Sequence, residues 1–163
     1  MSRPHANCYW LVPGQLLAGE YPAVHLTAMR ATGITDFIDL TTVDEGLPAY
    51  SERLATGQQW QRFGIADYSV PSTARMGQIL DAIGRAITRG GLLYLHCHGG
   101  VGRTGTVAGC LLVAHGFSAQ QALELIARKW QVVAKSARLP NSPETDEQRE
   151  FIRRWPSGPV DAP

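Results

Sequence analysis

The hydrophobic positions of the chain fall into short apolar runs and longer stretches with helical spacing. Two apolar runs, split by Pro13-Gly14, occupy residues 9–22 and predict a hairpin-like pair of strands. Buried strands are predicted at 34–40 and 92–96, and the stretch 60–71 opens as a strand and breaks at Pro71. The first half of the chain therefore predicts a sheet.

Helical patterns separate and follow these strands. Apolar residues three and four positions apart predict an amphipathic helix over 74–89, and 103–115 is apolar almost all round, as expected of a central helix. A short helix is predicted over 25–32. Ser118 and Thr145 each open a capping box, which predicts one helix to about residue 133 and another that ends before Pro156.

Strands that alternate with helices predict an α/β fold with a central, mostly parallel, twisted sheet flanked by helices. Residues 1–155 are long enough for a single domain with one core, and we expect the tail, 156–163, to be disordered. In such sheets the functional site lies at the carboxyl ends of the strands. The residues that follow each predicted strand are therefore the first place to look for chemistry.

Composition narrows the partners of the protein. The 163 residues carry a net charge of +1 and contain no block of like charges, so neither a nucleic acid nor a membrane surface is an expected partner. The chain has three cysteines, and so small and odd a number argues against a disulfide framework. The histidines show no metal-ligand spacing. We expect a monomeric cytoplasmic protein that needs neither a metal nor another cofactor.

The stretch HCHGGVGRTG, residues 96–105, lies between a predicted strand and the central helix. Its glycines match the dinucleotide pattern G-x-G-x-x-G, but the acidic residue required about 20 positions later falls inside a helix at Glu124. A nucleoside-triphosphate loop is also a poor match, because Thr106-Val107 stands where lysine and serine or threonine are needed. Neither interpretation accounts for the cysteine.

A third interpretation uses every residue of the stretch. Five residues separate Cys97 from Arg103, and a loop of that length can curl so that its N–H groups point to one centre at a helix amino-terminus. Arg103 can bind two oxygens of a phosphate, and the same positive field favours the thiolate form of Cys97. A thiolate beneath a bound phosphate is a nucleophile for phosphoryl transfer.

The stretch resembles the signature H-C-x(5)-R-S/T of the cysteine-dependent protein tyrosine and dual-specificity phosphatases, and LLAGEYP, FIDLT and SPETDEQ extend the resemblance to compact bacterial members. The resemblance implies a dual-specificity-phosphatase-like fold and a phosphocysteine intermediate. It also implies catalytic roles for Cys97, Arg103 and Thr104, whose hydroxyl would bond the Cys97 sulfur. The phosphate would be bound by Arg103 and the residues between it and the cysteine, namely His98, Gly99, Gly100, Val101 and Gly102.

The resemblance also implies an aspartate about thirty residues before the cysteine that acts as general acid. Asp67 occupies that position, with Asp44 and Glu45 as alternatives. His96 is expected to be a hydrogen-bonded orienting residue, and His98 a candidate for the substrate rim.

The expected substrate is a protein or peptide phosphorylated on tyrosine or on serine and threonine, because no lysine or arginine lies between Cys97 and Arg103. A phosphoinositide, an inositol phosphate and a 5′-phosphorylated RNA stay open as alternatives. So do a non-catalytic phosphate-binding module and a redox sensor based on the reactive thiol.

Overall fold

Five strands form one sheet in the computed structural model, which describes residues 2–157. They are β1 (Cys8–Val12), β2 (Leu16–Gly19), β3 (Asp36–Asp39), β4 (Gln59–Arg62) and β5 (Leu93–His96). The order across the sheet is β1-β2-β5-β3-β4. Only β1 and β2 pair antiparallel, as the two runs around Pro13-Gly14 predict, and the other neighbours pair parallel. The predicted mostly parallel α/β sheet is confirmed.

Helices cover both faces of the sheet. They are α1 (Leu26–Thr32), α2 (Thr73–Thr88), α3 (Gly102–Ala114), α4 (Ala119–Trp130) and α5 (Asp146–Arg154). On one face, Met29 of α1 packs with Phe37 and Tyr94 of the sheet. On the other face, α2 to α5 enclose the larger core, in which Val107 of α3 and Ile126 of α4 are fully buried. Almost every residue of α3 is buried, which explains its lack of a polar face.

Side-chain caps set the starts of three helices. The hydroxyl oxygens of Ser72, Ser118 and Thr145 accept hydrogen bonds from backbone N–H groups three residues later, at distances of 3.1 Å. Gln121 and Gln148 complete the two predicted capping boxes by accepting from the N-cap backbone. Each cap stabilises its helix by about 1 kcal/mol.

Two predicted elements are shorter in the structure. The strand predicted to open the stretch 60–71 ends at Arg62, because β4 lies at the edge of the sheet and its only neighbour, β3, ends at Asp39. The helix predicted to reach about residue 133 ends at Trp130. Of the predicted disordered tail, residues 158–163 lie outside the described part of the chain. No helix within residues 2–157 has the length and hydropathy to cross a bilayer.

The carboxyl ends of the four parallel strands lie in register. Gly19 of β2, His96 of β5, Asp39 of β3 and Arg62 of β4 are aligned across the sheet. Each is followed by a loop, so the loops after β2, β3, β4 and β5 meet at one edge. This edge is the place where a site built from distant parts of the chain can form.

Candidate active site

The loop 97–101 runs from the end of β5 to the start of α3 and encloses the sulfur of Cys97. This cysteine is 3% exposed, and its Sγ accepts a hydrogen bond of 3.2 Å from the N–H of Gly100. Gly100 has a φ of +77°, and a Cβ there would collide with the carbonyl group of Gly19. The loop can therefore curl against the end of β2 only with glycine at this position.

Arg103 lies in the first turn of α3 with a side chain that is 1% exposed. Its Nη1 and Nη2 donate to the two carboxylate oxygens of Glu45 at 2.6 and 3.0 Å, and Nη1 also donates to the carbonyl of Ile65 at 2.9 Å. Asp67 forms an ion pair with Nη2 at 2.9 Å. The loops after β3 and β4 thus converge on one guanidinium, and its orientation is fixed before any ligand binds.

Two buried polar atoms in the first turn of α3 lack hydrogen-bond partners among the described residues. They are Nε of Arg103 and Oγ1 of Thr104. An unpaired buried donor costs about 1–3 kcal/mol, so such atoms persist where a ligand or a reacting group completes them. The resemblance implied a bond from Thr104 to the Cys97 sulfur, but the sulfur is bonded to Gly100 instead.

His96 is completely buried and neutral. Its Nδ1 donates to the carbonyl of Cys97 at 3.1 Å, and its Nε2 accepts from the hydroxyl of Tyr50 at 2.6 Å. Burial lowers the pKa of His96 to about 4 despite Asp39, whose Oδ1 lies 4.0 Å away and raises it. This low pKa argues against a charged pair with Asp39. His96 is therefore an orienting residue behind the nucleophile rather than a proton carrier.

The rest of the loop contacts the protein through its backbone. The carbonyls of His98 and Val101 accept from the Tyr21 N–H at 2.9 Å and from the Ser142 hydroxyl at 2.7 Å. The side chain of His98 is exposed, and that of Val101 is buried. Lys135 lies 3.5 Å from the carbonyl of Gly99. The loop is thus held in place by contacts with Tyr21, Ser142 and Lys135.

The structure separates the three carboxylates that the sequence left as candidates. Asp67 and Glu45 both reach Arg103, whereas Asp44 is exposed. Glu45 is bound to the arginine through both oxygens, and these bonds lower its pKa although burial opposes them. A carboxylate held in this way positions the arginine and does not carry protons. Asp67, 43% exposed, stays accessible to a leaving group.

His5, Glu20 and His25 form a cluster next to the carboxyl end of β2, although the spacing of the histidines along the chain indicated no metal site. Their candidate ligand atoms lie within 4.8 Å of one another. Nζ of Lys135 forms an ion pair with Oε2 of Glu20 at 2.5 Å, and the backbone N–H of Asn7 donates to Nδ1 of His5. These contacts link the cluster to Gly99 through Lys135.

A buried cysteine and an oriented arginine, on a glycine loop between a parallel strand and a helix, define a cysteine-dependent phosphatase of the protein tyrosine and dual-specificity superfamily. The family model described as "Swiss Army Knife protein, DSP-PTPase phosphatase domain" matches residues 5–152. The chain belongs to this family, as the signature at residues 96–104 led us to expect.

Known proteins agree with this assignment. The chain is 30% identical over 103 residues to protein tyrosine phosphatase domain-containing protein 1 from Danio rerio and from Bos taurus. That alignment covers 63% of the chain but only 13% and 12% of the two relatives. The chain is therefore similar to one part of much longer proteins.

Solved structures show the same fold. The active form of Tk-PTP has a TM-score of 0.75 and 26% identity, over 91% of this chain and 95% of that one. PTPMT1 in complex with PI(5)P has a TM-score of 0.71 and 19% identity, over 87% and 90% of the two chains. A human tyrosine phosphatase-like serine/threonine/tyrosine-interacting protein has a TM-score of 0.71 and 16% identity, over 93% and 96%.

Proposed function

We propose that this phosphatase hydrolyses phosphomonoesters on proteins or peptides through a phosphocysteine intermediate. The placement of the buried Cys97 on the glycine loop, close enough to the oriented guanidinium of Arg103 for their charges to interact, is the observation that carries the proposal. The unpartnered Nε of Arg103 and the loop N–H groups would bind the phosphate oxygens. The unpartnered hydroxyl of Thr104 would bond the sulfur as it leaves.

The reaction would proceed in two steps. The thiolate of Cys97 attacks phosphorus and forms the S–P bond while the P–O bond to the leaving group breaks, and Asp67 gives its proton to the leaving oxygen. Water then attacks phosphorus and passes a proton to Asp67, and the S–P bond breaks. For this, Asp67 must first leave its ion pair with Arg103, which the incoming phosphate dianion replaces, and take up a proton from solvent.

The rim of the site supports a polypeptide substrate. Val43 and Tyr68 are 76% and 63% exposed, and each lies within two residues of a carboxylate that contacts Arg103. Apolar side chains around a charged centre suit a phosphorylated side chain presented by a peptide backbone. The loop between Cys97 and Arg103 adds no lysine or arginine for a polyphosphorylated headgroup. We further propose that the protein acts in a reducing compartment, the cytoplasm, where Cys97 stays a thiol.

The test is hydrolysis of 4-nitrophenyl phosphate in the presence of EDTA. We expect turnover by the wild type, none by Cys97→Ser, and a phosphorylated Cys97 in acid-quenched samples analysed by mass spectrometry. Cys110→Ala, which changes a buried cysteine in α3, is the matched control and should keep its turnover. Full turnover by Cys97→Ser would exclude the mechanism.

Substrate class is tested by comparing turnover of phosphotyrosine peptides, phosphoserine peptides and phosphoinositide vesicles at equal phosphate concentration. Peptides should be the better substrates. A higher kcat/KM for the vesicles would reject the protein substrate while leaving the chemistry intact. Tight binding of a phosphopeptide without any turnover would instead identify a phosphate-binding module.

A further inference from the structure

One carboxyl group beside the phosphate loop has no role in the mechanism above. It belongs to Glu144, which lies just before α5 in the segment 142–148. This segment is packed on the loop, because the Ser142 hydroxyl donates to the carbonyl of Val101 at 2.7 Å. Gly102 has no room for a Cβ, since Oε1 of Glu144 and the amide of Gln148 occupy that space. The carboxyl of Glu144 therefore lies directly against the start of α3.

The surroundings of Glu144 differ from those of the other two carboxylates. Within residues 2–157 its carboxyl group has no recorded hydrogen bond or ion pair, and only its backbone N–H is bonded, to Gln148. Burial raises the pKa of Glu144, the charge of Asp67 raises it further, and Arg103 lowers it. The charged groups that face it are thus Asp67 from the loop after β4 and Arg103 from α3.

Gln148 connects the backbones of the two segments that carry these carboxyl groups. Its amide oxygen accepts from the backbone N–H groups of Glu144 and Thr145, and its Nε2 donates to the carbonyl of Ser69 at 3.3 Å. Ser69 follows Asp67 by two residues. The Asp67 loop and the Glu144 segment are therefore connected through the side chain of Gln148.

We propose that Glu144 is a second general acid of this site, able to protonate the leaving oxygen when Asp67 is held by Arg103. The inference rests on the proposed phosphatase function. In the first step the O–H bond of the Glu144 carboxyl breaks and its proton joins the leaving oxygen as the P–O bond breaks. In the second step the Glu144 carboxylate takes a proton from the attacking water as the S–P bond breaks.

In this arrangement Asp67 is ionised and the neighbouring Glu144 favours its protonated form. An ion pair needs Asp67 ionised, and an ionised Asp67 favours the protonated form of Glu144. The free enzyme would thus hold one acid ready while the other binds Arg103.

The test uses Asp67→Asn, Glu144→Gln and the double variant on two aryl phosphates. 4-Nitrophenolate leaves without a proton, whereas the phenolate of phenyl phosphate needs one. The comparison is made in the first turnover, before the phosphocysteine is hydrolysed, because the second step is the same for both substrates. For phenyl phosphate, we expect a modest loss for each single variant and a loss on the order of 100-fold or more for the double variant. For 4-nitrophenyl phosphate, all three variants should stay close to the wild type in this first step. The alkaline limb of the pH–rate profile of Asp67→Asn should disappear in the double variant.

Glu147→Gln is the matched control, because it removes the same charge from an exposed position three residues along the same segment. It should change none of these rates. The inference is overturned if Glu144→Gln has no effect on phenyl phosphate in either background. Equal losses on both substrates would overturn it too, because they indicate a structural role. Activity of Cys97→Ser would instead refute the proposed function, so the two failures are distinguishable.

Discussion

The carboxylate of Glu45 grips the guanidinium of Arg103 through both oxygens, at 2.6 and 3.0 Å, in a pair whose arginine is 1% exposed. The two residues are 58 positions apart in the chain. Glu45 comes from the turn after β3 and Arg103 from the start of α3. The pair fixes the orientation of the guanidinium and leaves its Nε without a partner among the described residues, as the proposed binding of a phosphate would require.

Glu45→Gln should weaken catalysis by loosening Arg103 rather than by removing a proton carrier. We expect kcat/KM for an aryl phosphate to fall about 10- to 100-fold, as misplaced binding groups commonly cause. The shape of the pH–rate profile should stay that of the wild type. Asp44→Asn, one residue earlier and exposed, is the control and should be neutral. A shifted pH profile in Glu45→Gln would show that Glu45 carries protons after all.

Gly100→Ala should abolish activity and lower stability. Its φ of +77° strains an alanine by about 1–3 kcal/mol, and the new Cβ would collide with the carbonyl of Gly19. Urea unfolding should show the loss of stability, and aryl phosphate hydrolysis the loss of the loop geometry.

The control for this loop variant is Gly77→Ala in α2, where a Cβ meets nothing within 4 Å. This variant should gain about 0.5–1 kcal/mol, because alanine favours the helix more than glycine does. A stable, active Gly100→Ala protein would contradict the close approach of Gly100 to the carbonyl of Gly19.

Tyr50→Phe should destabilise the fold by about 1–3 kcal/mol, because it leaves Nε2 of the buried His96 without its donor. Thermal unfolding measures the change. Tyr21→Phe removes a hydroxyl that donates to an exposed carbonyl, that of Pro48, and is the matched control. Equal stability of the two variants would indicate that the bond to His96 contributes nothing.

The free energy of unfolding should fall as the pH falls from about 6.5 towards 4. Burial lowers the pKa of His96 to about 4 in the folded protein, whereas an unfolded histidine titrates near 6.5. Between these values the unfolded chain binds more protons, so acid favours unfolding. Urea titrations at pH 7, 5.5 and 4.5 test this. His5, with its pKa also lowered to about 4 by burial, acts in the same direction.

Local sequence determined the elements and the nucleophile loop. Helical spacing and capping residues identified α2, α3, α4 and α5, because these signals act within a few residues of one another. The loop 97–103 was recognisable for the same reason, since cysteine, glycines and arginine must follow one another to surround one phosphate. The ten-residue stretch 96–105 that contains this loop also indicated the phosphatase superfamily to which the family model assigns the chain.

Tertiary structure alone decided which acidic residues other than Asp67 lie beside that loop. Glu45 and Asp67 contact Arg103 because parallel strands end at one edge of the sheet, and Glu144 lies against Gly102 because the segment before α5 packs on the loop. The spacing implied by the resemblance indicated Asp67, but no spacing along the chain assigns the other two, so the sequence listed Glu45 only as an alternative acid and did not indicate Glu144. Their roles depend on distance and burial: two hydrogen bonds keep Glu45 ionised, whereas burial beside Asp67 favours a proton on Glu144.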